Sequence, residues 1–111
     1  MLRDRDKVLI RTKKGVFVRP MQQIMYIVAE GSYSEIHFQN EDKLMMSKSL
    51  SQVHLPDERF YRIHSSVVVN ITYIKRLLKD QVILLNGLYF PISQRRRKDF
   101  VTLLNDYFHN M

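Results

Sequence analysis

The sequence predicts a mainly β protein of about ten short strands, with one short helix and a helix near the C-terminal end. Only three glycines occur in 111 residues, and each falls between two strand-like runs. Residues 33–39 alternate, with Ser34, Ile36 and Phe38 on one side, which is the period of two of a half-buried strand. Residues 67–69 are three consecutive valines, which cannot alternate and therefore indicate a buried strand.

The first half of the chain is predicted to contain five strands, at residues 7–12, 16–19, 23–29, 33–39 and 43–47. Ser49 and Gln52 match a capping box, in which each side chain satisfies a free backbone N–H of the other residue. Pro56 is expected to stop the helix that follows after about two turns.

The second half begins with the segment FYRIHSSVVVN at residues 60–70, a polar approach joined to the valine run. Residues 73–78 and 81–85 are predicted to form a hairpin across Lys79 and Asp80, and Asn86-Gly87 predicts a type I′ turn into a strand at 88–92. Ser93 occupies the cap position of a helix over 94–108. Its apolar stripe comprises Phe100, Leu103, Leu104, Tyr107 and Phe108.

Length and composition indicate one folded domain over residues 7–111, with residues 1–6 as a linker or tag remnant. The absence of cysteine removes disulfides and thiolate sites, and it fits a reducing compartment. No apolar run approaches the roughly 20 residues of a membrane helix, and the charged start is unlike a signal peptide. We therefore expect a cytoplasmic protein without a membrane partner.

Enzyme chemistry has no support in the sequence. No histidine pairs with another histidine or a carboxylate at metal-ligand spacing. Ser65 and Ser66 follow His64 in the chain, but there is no nucleophile elbow, and the isolated glycines make no phosphate loop. We expect no catalytic residue, no metal and no cofactor.

The charge balance of 18 Lys+Arg against 11 Asp+Glu gives a net charge of +7. A net charge of this size is typical either of a soluble surface with a basic bias or of a chain that binds nucleic acid or another anionic surface. Arg95, Arg96, Arg97 and Lys98 form the sharpest cluster, in the first turn of the predicted helix. Cations there oppose the helix dipole, so an external phosphate explains them better than surface decoration does. The helical stripe places Arg96 nearer the core and Arg95 and Lys98 further out.

Two loops are further candidates. Arg62, His64 and Ser65 precede the valine strand, where a rigid sheet would present them. His64 is interpreted either as a structural histidine that orients the loop or as a backbone or base contact. The segment from Glu30 through Ser34 is either an ordinary β-connection or a hydroxyl-rich tip that reaches DNA.

Taken together, four fragments in order resemble the LytTR family, the DNA-binding output domain of many bacterial two-component response regulators. They are IMYIVAEGSYS at 24–34, LSQVHLP at 50–56, FYRIHSSVVVN at 60–70 followed by Tyr73-Ile74, and PISQRRR at 91–97. The resemblance runs from about Lys7 to Phe108. It implies elongated antiparallel sheets whose loops, rather than a recognition helix, enter successive major grooves.

The resemblance also implies the residues that contact DNA. They fall in three loops: Ser32, Tyr33 and Ser34; Arg62, His64 and Ser65; and Gln94, Arg95 and Arg96. Many members carry a basic residue where Ser65 stands and an asparagine where Ser32 stands. The family further implies two protomers on paired short repeats, and a receiver domain or cognate sensor pathway outside this chain.

Two other functions remain open at this point. Edge strands and the C-terminal helix would also suit a protein-interaction module that binds no nucleic acid. An RNA-binding domain would need aromatic stacking platforms, for which Tyr33, Phe38 and Tyr89 are the candidates.

Overall fold

The architecture is mainly β in a computed structural model that describes residues 3–55 and 57–111. In these ranges it has ten strands and one α-helix, and the hairpins and meanders of the strands are antiparallel. The elements are β1 (Lys7–Thr12), β2 (Gly15–Pro20), β3 (Ile24–Glu30), β4 (Tyr33–Phe38), β5 (Lys43–Met46), β6 (Phe60–His64), β7 (Val67–Asn70), β8 (Ile74–Leu77), β9 (Gln81–Leu84), β10 (Tyr89–Pro91) and α1 (Gln94–Tyr107). The predicted fold class is confirmed. Over the same ranges, α1 is too short and too polar to cross a bilayer.

The chain divides into two compact units, Met1–His54 and Leu55–Met111. In the first unit, β1 and β2 form a hairpin that runs from the pair Lys7↔Pro20 to the pair Thr12↔Gly15. Strands β3, β4 and β5 form a meander in the same unit. The prediction of one domain over residues 7–111 stays a prediction.

The core of the first unit follows from the alternation of β4. Ser34, Ile36 and Phe38 are buried, whereas Tyr33 on the opposite face is exposed, as the period of two predicted. Ile27 on β3 pairs with Ile36 and is fully buried. Burial of side chains of this size stabilises a fold by about 1.5–3 kcal/mol each, so this face holds the meander together.

The second unit contains the hairpin of β6 and β7, the meander β8–β9–β10, and α1. Every residue of β7 is buried, which confirms the interpretation of the valine run. Asn70 ends that strand, and its Oδ1 accepts hydrogen bonds from the Thr72 N–H (3.0 Å) and hydroxyl (2.7 Å). These bonds satisfy a fully buried amide oxygen and begin the 3₁₀ turn Ile71–Tyr73.

Helix α1 packs on β6 through aromatic contact. The rings of Phe100 and Tyr61 lie 5.1 Å apart at an interplanar angle of 32°, and Phe100 is fully buried. The prediction of a continuous apolar stripe is wrong at its end, because Tyr107 and Phe108 are exposed. Phe108 has left helical geometry, with φ −106° and ψ 156°, so the helical spacing no longer directs its side chain.

The short helix predicted after Ser49 is a single 3₁₀ turn, Leu50–Gln52, rather than two helical turns. The Gln52 side chain does accept the Ser49 N–H at 3.0 Å, as the capping-box pattern predicted. Val53 is extended, with φ −81° and ψ 121°. The branched side chain of Val53 opposes a longer helix, and so does Leu55, because a residue before proline avoids helical backbone. The predicted stop at Pro56 lies outside the described residues.

The turn at Asn86-Gly87 is where the sequence predicted it, but its type differs. A type I′ turn needs positive φ at both central residues. Gly87 has a φ of 88°, whereas Glu41 is the one described non-glycine residue with a positive φ. The Gly87 N–H donates to the Leu84 carbonyl at 2.9 Å, and the Asn86 side chain accepts from the Leu88 N–H at 3.1 Å. The local side-chain bond holds Asn86 in an ordinary turn conformation and leaves the left-handed position to glycine.

Candidate nucleic-acid interface

The loop that joins β6 to β7 is a tight, polar turn at the end of a buried hairpin. His64 pairs with Val67, so Ser65 and Ser66 form the turn, and both are exposed. The register shifts between Arg62 and His64, which is a bulge in β6. Bulges change the direction of the side chains beside them, and this one lies directly before the predicted contact residues.

His64 orients this loop through one ring nitrogen. Its Nδ1 accepts the Ser66 N–H at 3.2 Å and lies 2.9 Å from the Ser66 hydroxyl. A nitrogen that accepts an N–H carries no proton, so we assign the ring proton of neutral His64 to Nε2. The two interpretations of His64 are therefore compatible: Nδ1 shapes the loop, and the Nε2–H donor has no protein partner among the described residues.

Arg62 stabilises the same loop through a hydrogen bond to its backbone. Its Nη2 donates to the Ser65 carbonyl at 2.6 Å, a short bond strengthened by the guanidinium charge. Its Nε is buried and has no hydrogen-bond partner. Arg62 was predicted to contact DNA, and the contact it makes within the protein is structural: it holds the backbone of Ser65 in place.

The first turn of α1 separates its cations into two pairs. Arg96 and Arg97 are half-buried and donate to backbone carbonyls. Arg96 Nη1 lies 3.5 Å from the Arg62 oxygen, and Arg97 Nε lies 2.9 Å from the Lys79 oxygen. Arg95 and Lys98 are exposed and have no carboxylate partner in the described part of the chain. The predicted directions are confirmed, and the argument for an external anion applies to Arg95 and Lys98 only.

Ser93 precedes this turn in the cap position, but its hydroxyl makes no capping hydrogen bond, and its Oγ is buried without a partner. The predicted cap position is confirmed, because Ser93 is the residue that precedes the first helical residue, Gln94. The Ser93 N–H donates instead to the Ile63 carbonyl at 2.8 Å, which fastens the start of the helix to β6.

A second connection joins the same two elements. The Tyr61 hydroxyl donates to the Arg96 carbonyl at 3.2 Å. Burial raises the pKa of Tyr61 above its usual value, and the nearby Asp99 carboxylate adds to the rise, while Arg96 opposes it. The phenol therefore stays protonated and keeps its donor at neutral pH. Together, these bonds bring the β6–β7 loop and the helix start to one edge, here named the basic edge (Arg62, His64, Ser65, Gln94, Arg95 and Arg96).

The third predicted loop belongs to the first unit. Ser32 and Tyr33 are exposed, and Lys13 Nζ lies 3.3 Å from the Tyr33 hydroxyl and 5.2 Å from the ring centre. Ser34 is fully buried, so its inclusion among the DNA-contacting residues is wrong for this conformation. The alternation of β4 explains the error, because it directs Ser34 into the core beside Ile36 and Phe38.

Lys13 and Lys14 are two further candidates, which sequence reasoning missed. They form the turn of the β1–β2 hairpin, and Lys13 contacts the side chain of Tyr33, 20 positions further along the chain. The pair of adjacent lysines in a predicted turn was the available signal. It was weak because such pairs are also common on ordinary solvated surfaces.

Two comparisons with known proteins place the chain. Residues 14–105 match the family model described as the LytTr DNA-binding domain. A solved structure, the LytTr DNA-binding domain of a putative methyl-accepting/DNA response regulator from Bacillus cereus, is similar with a TM-score of 0.76 and 27% identity. The alignment covers 92% of this chain and 99% of that one. Among curated proteins, no significant match is found.

Proposed function

The chain belongs to the LytTR family of DNA-binding domains, and from this we propose that it binds double-stranded DNA in a sequence-specific way and regulates transcription. The observation that carries the proposal is the basic edge. Hydrogen bonds from Ser93, Tyr61 and Arg62 hold its backbone, while His64 Nε2 and Arg95 keep donors that no described protein group occupies. The exposed Ser65 hydroxyl lies 3.4 Å from His64 Nδ1.

Affinity is expected to come from the cations, and specificity from the loop tips. Arg95 and Lys98 neutralise phosphates and release counterions, which gives binding that weakens as salt rises. An arginine fork also matches the O6 and N7 acceptors of guanine in the major groove. His64 Nε2–H supplies one donor in a direction set by the bond at Nδ1, and the Ser65 hydroxyl adds a weakly discriminating contact.

Arg62 and Arg96 act mainly by holding the other residues in place. Their guanidinium groups donate to the carbonyls of Ser65 and Arg62, so the loop and the helix start are ordered before DNA arrives. Because these groups are already ordered, binding loses less conformational entropy. Ser32 and Tyr33 would supply a further loop. We propose that the loops enter successive major grooves.

The wider context follows from the family. We propose that the chain is the output domain of a two-component response regulator in the bacterial cytoplasm, without catalytic activity. A receiver domain or sensor pathway would control it. Two copies would occupy a pair of short repeats, spaced by about one helical turn of 10–10.5 base pairs so that both protomers approach the same side of the duplex.

The decisive experiment is selection of bound duplexes from a random pool, followed by a salt titration of the selected site. The expected result is a pair of short repeats whose log affinity falls linearly with log salt concentration. Enrichment of no sequence, together with a flat response to salt, would contradict the proposal and favour a protein partner. RNA competitors in the same titration would identify a preference for single strands.

A further inference from the structure

The first unit carries an open groove of about 470 Å³ beside the Tyr33 loop, distinct from the basic edge. Three lysines line it, namely Lys13 and Lys14 from the β1–β2 turn and Lys43 from β5. Tyr33 and Met45 contribute exposed apolar surface to the same groove. Lys43 lies far along the chain from the adjacent Lys13 and Lys14, so no local pattern groups the three lysines.

The positive charge of this groove is not balanced within the unit. No ion pair joins Lys13, Lys14 or Lys43 to a carboxylate in residues 3–55. The carboxylate that lines the groove, Glu35, lies 2.7 Å from His37 Nε2 and is already engaged there. Glu35 supplies one negative charge against three lysines, so the groove keeps a net positive charge that attracts an anion.

The turn that presents two of these lysines is held by local hydrogen bonds. The Thr12 hydroxyl donates to the Gly15 carbonyl at 3.0 Å and accepts the Lys14 N–H at 3.1 Å. Gly15 has a φ of 133°, which side-chain-bearing residues rarely adopt. The backbone under Lys13 and Lys14 is therefore set, although their side chains remain long and adaptable.

We propose that Lys13, Lys14 and Lys43 form a phosphate-binding surface that holds the sugar-phosphate backbone of duplex DNA beside Tyr33. The inference rests on the proposed function and extends it to a hairpin outside the three predicted loops. A lysine ammonium is a compact point charge that suits a single phosphate oxygen. The Lys13 contact with the Tyr33 hydroxyl and ring places the cation directly next to the side chain that reaches DNA.

The test compares two double variants with equal loss of charge. Lys13→Gln with Lys14→Gln removes the two turn lysines, and Arg5→Gln with Lys7→Gln removes two exposed cations at the open end of the same hairpin. Lys7 lies six residues from Lys13, about 20 Å along an extended strand. Each variant is titrated with the selected duplex and with a random duplex over a range of salt, after a thermal melt confirms folding.

The turn variant is expected to lower the salt slope by about 0.9 for each phosphate that is no longer neutralised, therefore by up to about 1.8, and to weaken both duplexes equally. The control variant should keep the wild-type slope. An unchanged slope in the turn variant, or the same change in both variants, would overturn the phosphate-binding surface while leaving the proposed function intact. A weakening confined to the selected duplex would also overturn it. Absence of any duplex binding by the wild-type chain would instead remove the proposed function, and this inference with it.

Discussion

The Tyr61 hydroxyl donates a hydrogen bond to the backbone carbonyl of Arg96, 3.2 Å away, and so ties strand β6 to the first turn of α1. The guanidinium of Arg96 in turn donates a hydrogen bond to the backbone carbonyl of Arg62 in β6. A side chain of β6 therefore donates to the backbone of α1, and a side chain of α1 donates to the backbone of β6. We expect this arrangement to contribute both to stability and to binding.

Tyr61→Phe is expected to lower the free energy of unfolding by about 1 kcal/mol, because it removes one half-buried hydrogen bond and retains the ring that packs on Phe100. Urea denaturation measures the change. Tyr89→Phe is the matched control, because Tyr89 is 65% exposed, and its loss of a hydroxyl should change stability by less than about 0.5 kcal/mol. Equal effects in the two variants would show that the Tyr61–Arg96 bond contributes nothing.

Arg95→Ala and Arg96→Ala are expected to separate binding from folding. Arg95 is exposed, so its removal should leave the melting temperature unchanged and weaken binding by about 1–3 kcal/mol at one base position if it binds a guanine. An equal effect on all sequences would identify a phosphate contact. Arg96→Ala should instead destabilise the fold by about 1 kcal/mol, because it removes the bond to Arg62 and the packing of its own stem. A reversed pattern would contradict the assignment of the two arginines.

His64→Asn tests the two nitrogens of His64 separately. The asparagine oxygen can replace Nδ1 as acceptor for the Ser66 N–H, but it offers no donor in the direction of Nε2. We expect near-normal stability and clearly weaker binding of the selected duplex, whereas His64→Ala should lose both functions of the ring. Calorimetry and a binding titration on the same samples check this. Full binding by His64→Asn would return His64 to a purely structural role.

Ser34→Ala should have no effect on DNA binding and should leave stability unchanged or raise it by up to about 1 kcal/mol. The Ser34 hydroxyl is fully buried and its Oγ has no hydrogen-bond partner, so the variant removes an unsatisfied polar group. Ser32→Ala, at an exposed position of the same loop, is the comparison. Loss of binding by Ser34→Ala alone would mean that β4 changes its register on DNA.

Asp57→Asn should reduce stability at neutral pH by about 0.5 kcal/mol, the usual size for a partly exposed ion pair. A side-chain hydrogen bond from Arg59 holds the pKa of Asp57 below its usual value of 3.8. Because the folded-state pKa is the lower one, the stabilisation is present above the usual value and is lost as pH falls through the folded-state pKa. Unfolding curves of both proteins should therefore converge below about pH 4. A difference that grows on acidification would contradict this sign.

Much of the fold followed from local patterns. The alternation of β4, the valine run of β7 and the glycine-containing turns placed nearly every strand within one or two residues. The errors concern features that local pattern does not specify. The Ser49 helix is a single 3₁₀ turn, and Ser93, although it occupies the predicted cap position, makes no side-chain capping bond and donates its N–H to Ile63. At Ser49, competing backbone geometry outweighed a short motif, and the bond from Ser93 to Ile63 joins residues that a local pattern does not connect.

The sequence by itself determined the class of the fold, the cationic helix start and the polar loop before β7, because periodicity and charge are properties of neighbouring residues. Only the tertiary structure decided how each cation is used. Arg96 and Arg97 donate to carbonyls from other segments, Arg95 and Lys98 do not, and Lys13 lies against Tyr33. Such pairings join residues far apart in the chain, so they depend on strand register and burial, which a linear pattern does not contain.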